Sequence, residues 1–143
     1  MAHIELVPLA TMTVQLGESI PVGAGPKGER LVTDVLSATL EGENISATLA
    51  TNDAADWVTM SEGGKVAALD VRATFKTDDG AYIYAEYGGR MDVESGLLAT
   101  APTFQTGSDK YAWLNRIQAV AAGAIDLDSG MLVYNLFEAR PVA

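Results

Sequence analysis

Val66-Ala67-Ala68-Leu69-Asp70-Val71-Arg72-Ala73-Thr74-Phe75-Lys76 and Ala81-Tyr82-Ile83-Tyr84-Ala85-Glu86-Tyr87, separated by Thr77-Asp78-Asp79-Gly80, read as two antiparallel strands in one hairpin. Successive side chains of a strand alternate between its faces, so Asp70, Arg72 and Thr74 share one side of the first strand. Tyr82, Tyr84 and Glu86 share one side of the second, while Leu69, Val71, Ala73, Phe75, Ala81, Ile83 and Ala85 form apolar opposite faces. Asp79-Gly80 supplies the turn, because Asp-Gly tolerates the positive φ angles of a tight hairpin. If the polar faces line the inside of a closed barrel, they gather an acid, a guanidinium and phenols in one cavity. That arrangement would be a site.

The same period continues outward from the hairpin. Met12, Val14 and Leu16 alternate with Thr11, Thr13 and Gln15, and a Gly/Pro-rich stretch over 21–28 reads as a loop. A strand is predicted from about Arg30 to Leu40, then a turn at 41–44, then Ile45, Ala47 and Leu49 in alternation. Trp57-Val58-Thr59-Met60 makes a short strand stopped by Glu62-Gly63-Gly64. Residues 88–101 are Gly-punctuated and predict a lid or mouth loop. Residues 102–106 are extended, Ser108-Asp109-Lys110 begins a helical turn, and two closing strands run from about Arg116 to Ala122 and from Met131 to Glu138. The expectation is all-β: one domain over residues 1–143, a closed or nearly closed antiparallel β-barrel of eight to ten strands.

At 143 residues with 48% hydrophobic side chains, one core can bury roughly two-thirds of the unfolded surface. Nineteen acidic against nine basic residues give a net charge of −10, a field that repels phosphate backbones, and no Lys/Arg cluster opposes it. Nucleic acid is therefore excluded as a partner. No apolar run reaches the length of a membrane span and the N-terminus lacks a signal-like pattern, so no membrane partner and a cytoplasmic location are expected. There is no cysteine, hence no disulfide and no thiolate metal site.

Several motifs imitate chemistry. Gly23-x-Gly25-x-x-Gly28 has the letters of a dinucleotide fingerprint, but Pro26 lies inside it and a β-like run follows where a helix is required. Asp126-x-Asp128-x-Gly130 starts like a calcium loop, yet Phe137 stands where a bidentate Glu is needed. His3 is the single histidine, at a chain end, which leaves no material for a Ser-His-Asp triad or a His-rich metal site. Catalysis, if present, falls to carboxylates, tyrosines, lysine or arginine. Asp56 beside Trp57, and Asn115-Arg116 after Trp113, place hydrogen-bonding groups next to aromatic walls, as a small-molecule pocket requires.

Ala55-Asp56-Trp57, Leu69-Asp70-Val71-Arg72, Thr77-Asp78-Asp79-Gly80-Ala81 with Ile83-Tyr84, Pro102-x-Phe104-x-Thr106, and Tyr111-x-Trp113-Leu114-Asn115-Arg116 occur in that order. In this combination, from about residue 5 to residue 138, the chain resembles the small bacterial and fungal β-barrel family known as domain of unknown function 3237. The resemblance implies a compact antiparallel barrel with a central cavity, similar in shape to lipocalin-like and allene oxide cyclase-like barrels. It also implies addition, cyclisation or hydration at activated carbonyl compounds, without a metal or organic cofactor. This chain is short between Gly88 and Pro102, so the family's lid residues do not carry over.

Two functional classes follow. An enzyme would be a cofactor-independent lyase or isomerase, a hydratase or a cyclase, performing Michael-type addition of water or an internal hydroxyl to an enone. It needs a base, a donor for the developing enolate oxygen and a dry pocket. Asp70 or Glu86 is the expected base, with Asp56 as alternative. Tyr84, with Tyr82 as substitute, is expected to serve the enolate, and Arg72 or Asn115 the carbonyl. Trp57, Phe104 and Trp113 are expected to bound the cavity. A carrier of a hydrophobic small molecule would use the same shape without the proton transfer. Against both stands a purely structural role, in which Asp70, Arg72, Tyr82, Tyr84 and Glu86 form a cross-strand ladder, each pair contributing roughly 0.2–1 kcal/mol. A small barrel also permits homo-oligomerisation.

Overall fold

Alternating polarity along most of the chain leaves each segment one apolar face to bury, and ten antiparallel strands satisfy that demand together. The structure is a computed structural model that describes residues 1–143. Its strands are β1 (His3–Gly25), β2 (Gly28–Glu41), β3 (Ser46–Leu49), β4 (Ala55–Ser61), β5 (Val66–Thr77), β6 (Tyr82–Asp92), β7 (Leu97–Thr100), β8 (Thr103–Gln105), β9 (Ala119–Asp126) and β10 (Met131–Val142). Eight of them form a ring in the order β5-β4-β2-β1-β10-β9-β7-β6, closed by the β5–β6 pairing. β3 bridges β2 and β5, and β8 adds to the start of β6. The fold is thus the expected all-β antiparallel ring of barrel type.

The β5–β6 hairpin forms as the alternation demands, with Arg72 opposite Glu86, Thr74 opposite Tyr84 and Phe75 opposite Ile83. Gly80 takes φ +92 in the turn, and the Thr77 hydroxyl accepts from the Ala81 N–H at 2.8 Å. The faces, however, are the reverse of the arrangement a polar cavity needs. Leu69, Val71, Ala73, Phe75, Ile83 and Ala85 are buried in the core, while Asp70, Arg72, Tyr82 and Glu86 are exposed on the outer wall and Tyr84 is half-buried there. The physical reason is the cost balance. Removing the apolar faces from water gains about 25 cal/mol per Å², whereas taking the Asp and Arg charges inside costs several kcal/mol per ion. Outside, the stripe is a ladder: the Tyr84 hydroxyl donates to Glu86 Oε2 at 3.0 Å, and the Arg72 guanidinium lies 4.5 Å over the Trp57 ring.

Other expectations are corrected at the strand ends. The first strand is far longer than 11–16, and the Gly/Pro-rich stretch is mostly strand, turning only between Gly25 and Gly28. Residues 88–101 are not a lid. β6 continues to Asp92, and after a short turn β7 pairs back on it, Gly89 opposite Thr100. A Cβ on Gly89 would collide with the Ala99 carbonyl oxygen, so glycine here permits close strand approach.

The two ends of the ring differ. One is plugged by the 3-10 helix Ala112–Arg116, whose Leu114 is 1% exposed. Asn115 clamps the chain before it, accepting from the Thr106 N–H at 2.8 Å and donating to the Thr106 carbonyl at 2.9 Å. Tyr111 and Lys110 both donate to Asp79 in the β5–β6 turn, at 2.9 and 2.5 Å. These charge-assisted bonds, with one from Thr77, hold the Asp79 carboxyl well below the usual range. At the opposite end, Val93, Leu127 and Gly130, from the turns after β6 and β9, surround the mouth of an interior cavity.

Candidate functional site

Across one wall of the ring Ser19 pairs with Thr33, Thr33 with Asp56, and Asp56 with Val71, on β1, β2, β4 and β5. Ser19, Thr33 and Asp56 all line the cavity, forming a polar row on an otherwise apolar wall. The Ser19 and Thr33 hydroxyls are 2.8 Å apart. Asp56 is only 9% exposed and shares its phase with Val58, also buried.

A carboxylate inside a barrel needs a reason to stay there, and the β4–β5 ladder provides one. Asp56 faces Val71 and Thr59 faces Ala68, but the two pairs between them are not joined. Instead the Asp70 N–H donates to Asp56 Oδ1 at 3.0 Å, and the Trp57 carbonyl accepts from Arg30 Nη1 at 2.9 Å. The side chain has entered the ladder. Burial pushes the Asp56 carboxyl up to about 6, the Asp70 N–H pulls it down, and the nearby Asp70 charge adds a smaller upward push.

Tyr134 also lines the cavity, and Tyr87 packs against it in the core. Their rings meet edge to face, 5.7 Å between centroids at 75°, and both are buried. Burial raises both phenols far above their ordinary value, with the Asp56 charge contributing, so both remain protonated donors at any ordinary pH. Gly123 on β9 makes room for this pair: a Cβ there would stand 2.7 Å from the Tyr134 ring. The cavity measures about 260 Å³, and its walls are otherwise mainly Leu, Val, Ile, Met and Ala, such as Leu31, Val58 and Leu132. At about 30 Å³ per water, that is room for a compound of about nine waters' volume, towards the small end of ligand sites. No lysine or arginine lines it, and no group of three or more His, Asp or Glu side chains converges to hold a metal. The arrangement can accept a proton at Asp56 and donate a hydrogen bond from Tyr134 to an oxygen in an apolar space.

Of the residues singled out from the sequence, Asp56 alone lines this cavity. Asp70, Arg72, Tyr82, Tyr84 and Glu86 stand on the outer wall. Trp57 is half-buried on that same outer face beneath Arg72. Phe104 is buried in the core opposite Ala85, and Trp113 borders a surface groove with Glu43, Lys110, Glu138 and Arg140 at the plugged end. Asn115 is a backbone clamp.

The sequence profile of the family described as "protein of unknown function (DUF3237)" matches residues 4–139. The chain belongs to the DUF3237 family. A UPF0311 protein of Rhodopseudomonas palustris is 26% identical over 134 residues, covering 82% of this chain and 86% of that protein. A solved structure described as a beta-barrel like protein from Acinetobacter baumannii has a TM-score of 0.84 at 27% identity, covering 96% of each chain. A structure described as an enzyme from Penicillium herquei shares the fold, with a TM-score of 0.71 at 20% identity over 95% of each chain.

Sequence reasoning about this DUF3237 chain passed over Tyr87, Tyr134 and Thr33, although a signal for each was present. Tyr87 is in phase with Ile83 and Ala85, Tyr134 with Leu132 and Leu136, and Thr33 with Leu31 and Val35. A polar group in step with an apolar face is a stronger pointer to an interior site than a stripe of polar groups sharing a face. The stripe is free to face water.

Proposed function

We propose that this DUF3237 protein is a cofactor-independent acid–base enzyme of the lyase or isomerase type, acting on a small uncharged enone or related activated carbonyl compound. The observation that carries the reading is Asp56, the one carboxylate lining the cavity, raised by burial to about 6. A base with that value is mostly ionised at neutral pH yet basic enough to take a proton from a hydroxyl activated by attack. The step balances without a further reagent. Asp56 takes the proton of water, or of the substrate's own hydroxyl, as that oxygen bonds to the β-carbon of the enone. The π electrons move to the carbonyl oxygen, and the enolate accepts a hydrogen bond from Tyr134. Asp56 then returns its proton to the α-carbon. Addition of water is hydration, and addition of an internal hydroxyl is cyclisation. The lack of a lysine or arginine in the lining favours neutral substrates, as does the net charge of −10. The Penicillium herquei protein of the same fold, described as an enzyme, adds support.

The test is NMR of the protein with cyclic and acyclic enones and ketones in deuterated buffer, following α-proton exchange and adducts. Turnover should fall at least 100-fold in Asp56→Asn and about 100-fold in Tyr134→Phe, the usual effect of removing a base or one enolate donor. Asp70→Asn and Glu86→Gln, on the outer wall, should leave it within twofold. Turnover that survives Asp56→Asn sinks the assignment. Ligand-induced shifts without exchange in any variant would instead make the cavity that of a carrier.

A further inference from the structure

We propose that two copies of this chain pack sheet against sheet about a two-fold axis through the outer face of β7, β9 and β10. The face is marked by what it lacks. One residue in five of the chain is charged, yet none of residues 6–17, 97–101, 119–125 or 131–137 is. Those segments are neighbours in the ring, running β1-β10-β9-β7. The outer wall of β5 and β6, by contrast, carries Asp70, Arg72, Lys76 and Glu86. Leu97 (60% exposed), Val133 (41%) and Leu6 (59%) stand in water on the uncharged face. Beside Leu6 a groove of about 510 Å³ runs past Ala99, Val120, Ala122 and Phe137, with Arg90 as its one charged lining residue.

Charge selects the occupant. Two chains at −10 repel each other over most approaches, and repulsion is least where neither presents a charge. A basic partner would be drawn to the acidic surface instead. An anionic membrane would be repelled, since the border carries Arg90 but also Asp92, Asp126 and Glu138 rather than a basic cluster. An apolar centre with a charged border is the anatomy of a protein interface. The extent fits as well. With the adjoining part of β1, four strands about 4.8 Å apart, their uncharged stretches averaging about seven residues at about 3.4 Å each, give a flat footprint of about 450 Å². Side-chain relief raises the accessible area towards the ~800 Å² per partner of a standard interface. The small side chains of Ala99 and Ala122 let two sheets approach at about 10 Å. Because one patch serves both copies, the contact is isologous, which favours a closed dimer.

Sedimentation equilibrium of the full chain, from micromolar to sub-millimolar concentration, reads the outcome. The expected mass is twice the 15.0 kDa of the chain. Ala122→Glu and Val133→Lys, each made alone, should shift it to the single-chain mass with an unchanged far-ultraviolet circular dichroism spectrum. Lys76→Glu, on the opposite outer wall, should remain a dimer. A wild-type protein that is a single chain at every concentration overturns the proposal, whether it stays free or co-sediments with phosphatidylcholine vesicles. So does a dimer that both charged variants leave intact.

Discussion

Asp56 shows how much one side chain can set against the fold that holds it. Its carboxyl has an ordinary value of 3.8 and reaches about 6 in the folded protein. Between those limits the folded chain keeps a proton that the unfolded chain has released. This group's contribution is therefore most favourable below pH 4 and declines as pH rises, until the ionised carboxylate costs about 3 kcal/mol above pH 6. Asp56→Asn keeps an oxygen to accept the Asp70 N–H but never ionises. Urea melts should find it about 2 kcal/mol more stable than wild type at pH 7.5, with the difference gone near pH 4. If Asp56 is the base, the wild-type rate will rise with pH through an inflection near 6, the opposite trend to its stability. The residue was legible as polar beside Trp57, but not its depth. Depth comes from its phase with Val58 on β4 and from a ladder that opens to admit it.

Among the elements, the Ala112–Arg116 helix is too short to be stable alone and depends on what ties it down. Asn115 satisfies both backbone groups of Thr106, and Tyr111 and Lys110 reach the β5–β6 turn at Asp79. Replacing Asn115 by Ala removes two bonds to a buried residue, so a loss of about 1–2 kcal/mol and a melting point about 5 °C lower are expected from calorimetry. The Thr106 amide should also exchange faster with deuterium. The hairpin at Asp79-Gly80 was readable because its turn chemistry and both alternating strands agree. The stretch 88–101 misled because Gly88 and Gly89 look like loop signals. Gly89 is there for the close passage of Ala99, a need that arises only once β7 lies against β6.

For the whole molecule, closure joins the beginning of the chain to its end: β1 pairs with β10 over nearly the full length of the latter, His3 opposite Val142 and Gln15 opposite Met131. Such distant pairing loses chain entropy before it gains contacts, so refolding is expected in milliseconds to seconds. A chain ending at Gly130 would leave β1 and β9 without their shared neighbour, and its circular dichroism should show no cooperative melt. Alternation of polarity already demanded an all-β fold, since each strand's apolar face must be buried by another and no helical period competes. Composition likewise carried the acidic surface and the missing cysteine chemistry. Which side of each strand turned inward was another matter. Asp70 and Asp56 are both acids within neighbouring strands, and only the ring, by burying Leu69 and Val71, sends one to water and the other to the cavity. Local pattern states that two faces differ; the free energy of burying one of them is set by every strand that closes the ring.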